Sequence, residues 1–223
     1  MEILYEDNHI IIANKAPGEI VQGDKTGDRT LCDEVKDYIK KNYAKPGAVF
    51  LGVTHRLDRP VSGAVVFART SKALARLNEM FRTGKVAKTY HAIVCTPPPE
   101  PETTLTHWLT RNERQNKAYA HIREVPGAKK AVPDYRTLGV SDRYTLLEVA
   151  LHTGRHHQIR CQLAAIHSVI KGDLKYGAPR SNPDGSISLH ARTVSFEHPV
   201  SHKQISVTAP YPSSNTLWGC FRQ

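Results

Sequence analysis

The chain has 223 residues, 39% of them apolar and 23% charged, which is enough for one sizeable core or two small lobes and excludes both a peptide-sized scaffold and a disordered acidic class. Lys and Arg number 31 against 21 Asp and Glu, a net charge of +10; with a pI near 9.5 and a mean hydropathy of −0.45, the natural partners are polyanions, nucleic acid first. No run approaches the roughly 20 apolar residues that span a bilayer. The first fifteen residues are too acidic, and their apolar run too short, for a secretory signal. Cys32, Cys95, Cys161 and Cys220 have no paired spacing, which argues against a disulfide framework or a zinc site, so a reducing cytoplasm is expected.

In chain order, Ile3 to Tyr5 and His9 to Ala13 read as two strands around an Asp7-Asn8 turn, followed by a Lys15-Ala16-Pro17-Gly18 loop. Thr30 caps a predicted helix with Leu31, Val35, Tyr38 and Ile39 at helical spacing. A second predicted helix starts at Ser71, carries Leu74, Leu77, Met80 and Phe81, and closes at Gly84. Between them, strands are expected over Ala48 to Val53 and Ala64 to Ala68, joined by the polar connector Thr54 to Pro60. Val86 to Cys95 reads as a long strand, and the Pro-rich run that follows it marks a lobe boundary near 96–103. Strands follow near 117–123, 132–140, 143–151, 188–196 and 203–208, with a helix from His156 to Ile166. Few helices and many strands, without regular β-α-β alternation, point to an α+β fold with a largely antiparallel sheet.

Asp58 is the sole acidic residue between Asp37 and Glu79, a stretch holding Lys40, Lys41, Lys45, Arg56, Arg59, Arg69, Lys72 and Arg76. On a surface facing a polyanion, one carboxylate weakens phosphate binding, and catalysis is a use that offsets this; a structural ion pair with an arginine is the other reading. The second polar concentration, Leu151 to Arg160, sits where a strand gives way to a helix. Thr153 is the expected cap. On that helix His156 and Arg160 share a face while Ile159 and Leu163 turn to a core, so Arg160 is held rigidly and needs a carboxylate; Asp58 is the partner chosen. A metal on His152, His156 and His157 lacks a general base, since no Asp or Glu lies between 149 and 172. Serine-nucleophile and phosphate-loop signatures are absent, and nothing marks a second acid near Asp58 for glycoside hydrolysis. Tyr90 lies on the long strand with Lys88 and Ala92 on its face, either as a core-rim residue or as a stacking platform for a base.

His55-Arg56-Leu57-Asp58-Arg59-Pro60-Val61-Ser62-Gly63 resembles the H-R-L-D-x-x-T-S-G signature of the RluA-type RNA pseudouridine synthases. Thr153 to Arg160 is similar to that family's T-G-R-x-H-Q-I-R segment, Gly172-Asp173-Leu174-Lys175-Tyr176-Gly177 to G-D-x-x-Y-G, and Leu189-His190-Ala191 to L-H-A, in the same order along nearly the whole chain. The resemblance implies a pseudouridine synthase fold of two lobes around a central cleft, here as a single catalytic domain over 1–223. It implies an isomerase acting on rRNA or tRNA without metal or redox cofactor. Asp58 matches the catalytic aspartate, Tyr90 the base-stacking tyrosine and Arg160 the arginine paired with the aspartate. Arg56 matches the residue that fills the vacated stack. His55, Arg59, Lys15, Arg155, His157 and Ile159 are expected at the substrate.

The implied reaction breaks ribose C1′ from uracil N1, rotates the base and rejoins C1′ to C5. Asp58 has three routes: attack on C1′, attack on C6, or removal of the 2′ proton. Tyr90 is placed to help remove the C5 proton, although a tyrosine of ordinary pKa near 10 is a weak base at neutral pH. Val61 stands where the family usually has Thr, removing a hydroxyl that would brace the Asp58 loop, and Lys15-Ala16-Pro17-Gly18 replaces Lys-Pro-x-Gly. The first residues read as the catalytic domain's opening strand rather than an S4-like domain, so target selection is expected from the catalytic body. A monomer is expected. The alternative function is a non-catalytic RNA-binding or ribosome-assembly protein with the same fold.

Overall fold

The computed structural model describes residues 1–23, 26–44 and 46–221; Lys45, one of the cations counted around Asp58, lies outside them. The chain divides into two compact units. Unit 1 comprises Met1–Ala87 and Ala191–Pro212, and unit 2 comprises Lys88–His190 and Ser213–Gln223. The division therefore falls at Ala87 and Lys88, ahead of the Pro-rich run. That run separates strands but not units, because the strands on either side of it belong to one sheet.

Unit 1 opens with strands β1 (Glu2–Glu6) and β2 (Ile10–Lys15), paired antiparallel. Asp7 fixes the turn between them, its Oδ1 accepting the N–H groups of His9 and Ile10 at 2.7 and 2.9 Å. Helix α1 (Leu31–Asn42) starts with a reciprocal capping box between Thr30 and Asp33 and buries Leu31, Cys32, Val35 and Ile39. Of the strand expected over 48–53, only β3 (Gly52–Val53) forms, against Ala68 and Phe67 of β4 (Ser62–Ala68). Phe50, just ahead of it, is 49% exposed. Helix α2 (Ser71–Arg82) is capped by Thr70.

Every residue of β4 is buried, as a continuous apolar run covered on both faces should be. On one face Ile10, Ile12, Ala64, Val66 and Ala68 pack with Ala73 and Leu77 of α2 and with Val194 and Phe196. Those last two belong to β12 (Leu189–Glu197), which enters this unit at Ala191, lies next to β4, and pairs antiparallel with β13 (Gln204–Thr208).

Unit 2 is built on β5 (Ala87–Val94), β11 (Thr145–Leu151), β10 (Pro133–Val140) and β6 (Glu102–Thr104), in that spatial order and antiparallel throughout. A separate three-stranded sheet holds β8 (Lys117–His121), β7 (His107–Asn112) and β9 (Lys129–Ala131). Strands β6, β7 and β9 were not expected from the sequence, because two are only three residues long and β7 mixes buried and polar positions. Helix α3 (Gln158–Ala165) buries Gln158 through Leu163. The mixed α+β class and the largely antiparallel pairing agree with the sequence reading. No helix among the described residues is long and apolar enough to cross a membrane.

Gly63 has φ +118, and a Cβ there would lie 2.3 Å from the Ala191 carbonyl oxygen. Both the backbone conformation and the close approach of two strands demand glycine. Gly63→Ala is expected to destabilise the protein by about 3 kcal/mol or more, measured as a lower midpoint in denaturant unfolding.

Candidate active site

The Asp58 segment is a loop clamped from several directions. Thr54 Oγ1 donates to the Val66 carbonyl at 2.6 Å, and the Val66 N–H donates to His55 Nε2 at 3.0 Å. The His55 ring lies against Phe81, the ring centres 4.7 Å apart and the planes tilted by 30°. His55 therefore fastens the connector to β4 in the tautomer that carries its proton on Nδ1. The Val61 N–H closes a turn onto the Asp58 carbonyl, and the Gly18 N–H donates to the Arg59 carbonyl.

Lys15 is 1% exposed. Its ammonium donates to the carbonyls of Ala16, Arg59 and Val61 at 2.9, 3.1 and 2.6 Å. The sequence reading puts Lys15 on the substrate; instead its three N–H groups are spent inside the fold, bracing the loop on both sides of Pro60. Burial pushes its pKa down to about 8, while the charges of Glu19 and Asp58 pull the other way. Val61, buried, needs no hydroxyl to support the loop, since its backbone N–H and carbonyl do so. Within this frame Leu57 is buried, Asp58 half-buried, and Arg56 and Arg59 are exposed. Arg59 pairs with Asp28 at 2.5 Å and reaches Thr26 at 3.1 Å, so an acid from an earlier loop engages a cation expected on the substrate.

Unit 2 contributes a second cluster around α3. The helix begins two residues later than the sequence suggests, and its N-cap is His157 at φ 50 without a side-chain cap. Thr153 donates instead to Gln158 Oε1 at 2.9 Å, which also accepts the Arg155 N–H. His156 lies ahead of the helix, so it is His157 that meets Arg160, Nε2 to Nη1 at 3.0 Å. Because a guanidinium only donates, His157 Nε2 accepts, and Nδ1–H points at the Tyr176 oxygen 2.9 Å away.

Arg160 is 5% exposed, and its Nε and Nη2 form a bidentate pair with Asp173, 1% exposed, at 2.7 and 2.8 Å. Asp173 is thus a carboxylate partner of this guanidinium within its own unit. The acid-free window ends one residue before it, and the Gly172 to Gly177 motif contains it, yet only its burial reveals the pairing. Burial likewise raises the Tyr176 hydroxyl pKa, and that oxygen accepts the Ala118 N–H at 2.8 Å.

Tyr90 on β5 is 9% exposed, in register with Val149 of β11. Burial pushes the Lys88 pKa down, and its amine lies 3.3 Å from where a Cβ on Gly154 would sit. Ile159 is buried in α3. Arg155 is exposed and donates from Nε to the Lys130 carbonyl at 3.1 Å. His152 turns away to Asp134 at 2.5 Å.

Residues 9–165 match the family described as RNA pseudouridylate synthase, and the chain belongs to that family. It is 32% identical to the ribosomal large subunit pseudouridine synthase D of Xylella fastidiosa, over 95% of this chain and 66% of the relative. It is 28% identical to the tRNA pseudouridine synthase C of Pectobacterium carotovorum, over 94% of this chain and 58% of the relative. The chain thus spans about two thirds or less of these relatives' length. Its fold is similar to that of human RNA pseudouridylate synthase domain containing 4, with a TM-score of 0.78 at 23% identity over 95% of this chain and 88% of that one.

Removing one partner of a buried ion pair strands the other. Asp173→Ala is expected to cost about 3–5 kcal/mol in denaturant unfolding. Lys15 gives a pH signature. With a folded pKa of about 8 against about 10.4 unfolded, the unfolded chain holds the extra proton between those values, so stability rises with pH across that window. The wild-type stability minus that of Lys15→Met should therefore grow from pH 8 to 10.4 and stay flat below pH 7, read from unfolding curves at each pH.

Proposed function

We propose that this chain converts uridine to pseudouridine in ribosomal or transfer RNA. In this reading the C1′–N1 bond breaks, the uracil turns while held, C1′ bonds to C5, and the C5 proton leaves as N1 regains one, so that atoms and charge balance without an oxidant or reductant. Asp58 is the group that starts the reaction. Family membership supports this, and so does the one observation that carries it: an acidic side chain, half-buried, on a loop whose backbone is pinned at Asp58, Arg59 and Val61. A carboxylate held this way loses little freedom when a ribose arrives.

Tyr90 is the surface for the extruded base and aids loss of the C5 proton. Arg160 is the orienting arginine of this reading; its engagement with Asp173 and His157 fixes the guanidinium plane. Exposed Arg56 fills the gap left in the RNA stack. Arg59, Arg155 and His157 remain candidates near the substrate, with His55, Ile159 and Lys15 supporting the frame.

The test uses RNA from cells lacking the gene, incubated with purified protein and mapped by chemical labelling of pseudouridine. Wild type is expected to form pseudouridine with no added cofactor, and Asp58→Asn to be slower by about a thousandfold or more. Equal rates in the two proteins overturn the role of Asp58, and no pseudouridine from wild type favours the non-catalytic RNA-binding alternative. Tyr90→Phe is expected to lower kcat with little change in KM, and Tyr90→Ala to impair both, checked by steady-state kinetics on the mapped RNA.

A further inference from the structure

The three-stranded sheet of unit 2 is not used by the chemistry above. Its inward face, with Leu109, Ala118 and Ala131, packs on Cys161 of α3. By the two-residue period and the observed register, its other face carries Trp108 and Thr110 on β7, Lys117, Tyr119 and His121 on β8, and Lys130 on β9. Tyr119 is 40% exposed, and Ile122, just past the strand, is 82% exposed. The half-buried Lys117 ammonium lies between two rings, 5.5 Å from the centre of Tyr119 and 5.2 Å from that of Tyr176, and Lys130 is exposed. From 107 to 131 the chain has six Lys or Arg against two Glu.

The face is also rigid. Lys175 ties the β7–β8 turn through the Gln115 and Asn116 carbonyls, each at 3.1 Å. Tyr176 bonds the Ala118 N–H, Gln162 donates to the Ala131 carbonyl at 3.2 Å, and Arg155 holds the Lys130 carbonyl. The platform is thereby fastened to the segment that positions Arg160.

We propose that this outward face, centred on Tyr119 and flanked by Trp108, Lys117 and Lys130, is a stacking platform for unpaired RNA nucleotides outside the reacting uridine. An exposed ring set among cations on a stiff sheet offers what single-stranded RNA recognises: a π-face for a base and positive charge for its phosphates. A protein partner would need no such excess of cations. The inference deepens the functional reading, since it assumes an RNA substrate, and it supplies affinity for unpaired RNA from a surface remote in sequence from Asp58.

The experiment uses the full chain carrying Asp58→Asn, so that no turnover intervenes, and a single-stranded oligoribonucleotide with one 2-aminopurine as the probe. Its fluorescence should quench on binding, and a duplex of equal length should compete poorly. Adding Tyr119→Ala is expected to weaken binding about tenfold or more, Tyr119→Phe to stay near the parent, and Lys130→Ala to reduce the salt dependence by about one phosphate contact. A 4-thiouridine oligonucleotide should crosslink within 108–130. Unchanged affinity in Tyr119→Ala, equal competition by the duplex, or crosslinks confined to other segments would overturn the proposal. Any of these results leaves pseudouridine formation by the wild type intact, so the two readings fail separately.

Discussion

A single buried ammonium holds the loop on which the proposed chemistry depends. Lys15 reaches three carbonyls from the end of β2, two of them within the 59–61 stretch that follows Asp58. Backbone carbonyls at a tight turn need donors once water is excluded, and an ammonium supplies three in one place. The cost is desolvation of a charge, visible in a pKa near 8. Below that pH the group is cationic, and the nearby Asp58 charge is among those that favour this charged form. Gly18 and His55 complete the clamp with neutral contacts.

Unit 2 solves a similar problem with an ion pair. Arg160 and Asp173 are both almost completely buried, an arrangement that offers little net stability but fixes geometry through two parallel hydrogen bonds. His157 and Tyr176 extend the network to the backbone of β8 at Ala118. A guanidinium tied at several nitrogens cannot swing to follow a phosphate, so it is suited to orienting one chosen anion. The left-handed turn at His157 is what delivers this side chain to Arg160; with helical geometry beginning at His156, the neighbouring ring would have taken its place.

Much of this was legible in the sequence because the signals are local. Thr30 and Thr70 announce their helices, the unbroken apolar run of β4 announces a strand buried on both faces, and the H-R-L-D segment announces its own exceptional carboxylate. What escaped depends on tertiary packing. Lys15 reads as one more cation, and only its burial shows that it serves the loop. Asp173 sits thirteen residues after Arg160, a separation that carries no helical or strand period. Strands β6 and β9, at three residues each, leave too short a pattern to detect, and without them the basic sheet around Tyr119 has no visible face. The Pro-rich run after Cys95 misleads for the opposite reason: a strong local breaker lies between segments of one sheet.

The most direct test of the clamp is native-state amide exchange at Val61 and Gly18, whose N–H groups bond the Asp58 and Arg59 carbonyls. In the wild type both amides should be protected, and in Lys15→Met their protection should fall by about tenfold or more, a loss on the scale of one hydrogen bond, while Val66 in β4 holds its protection. Unchanged protection at Val61 and Gly18 in the variant would contradict the claim that this buried ammonium shapes the Asp58 loop.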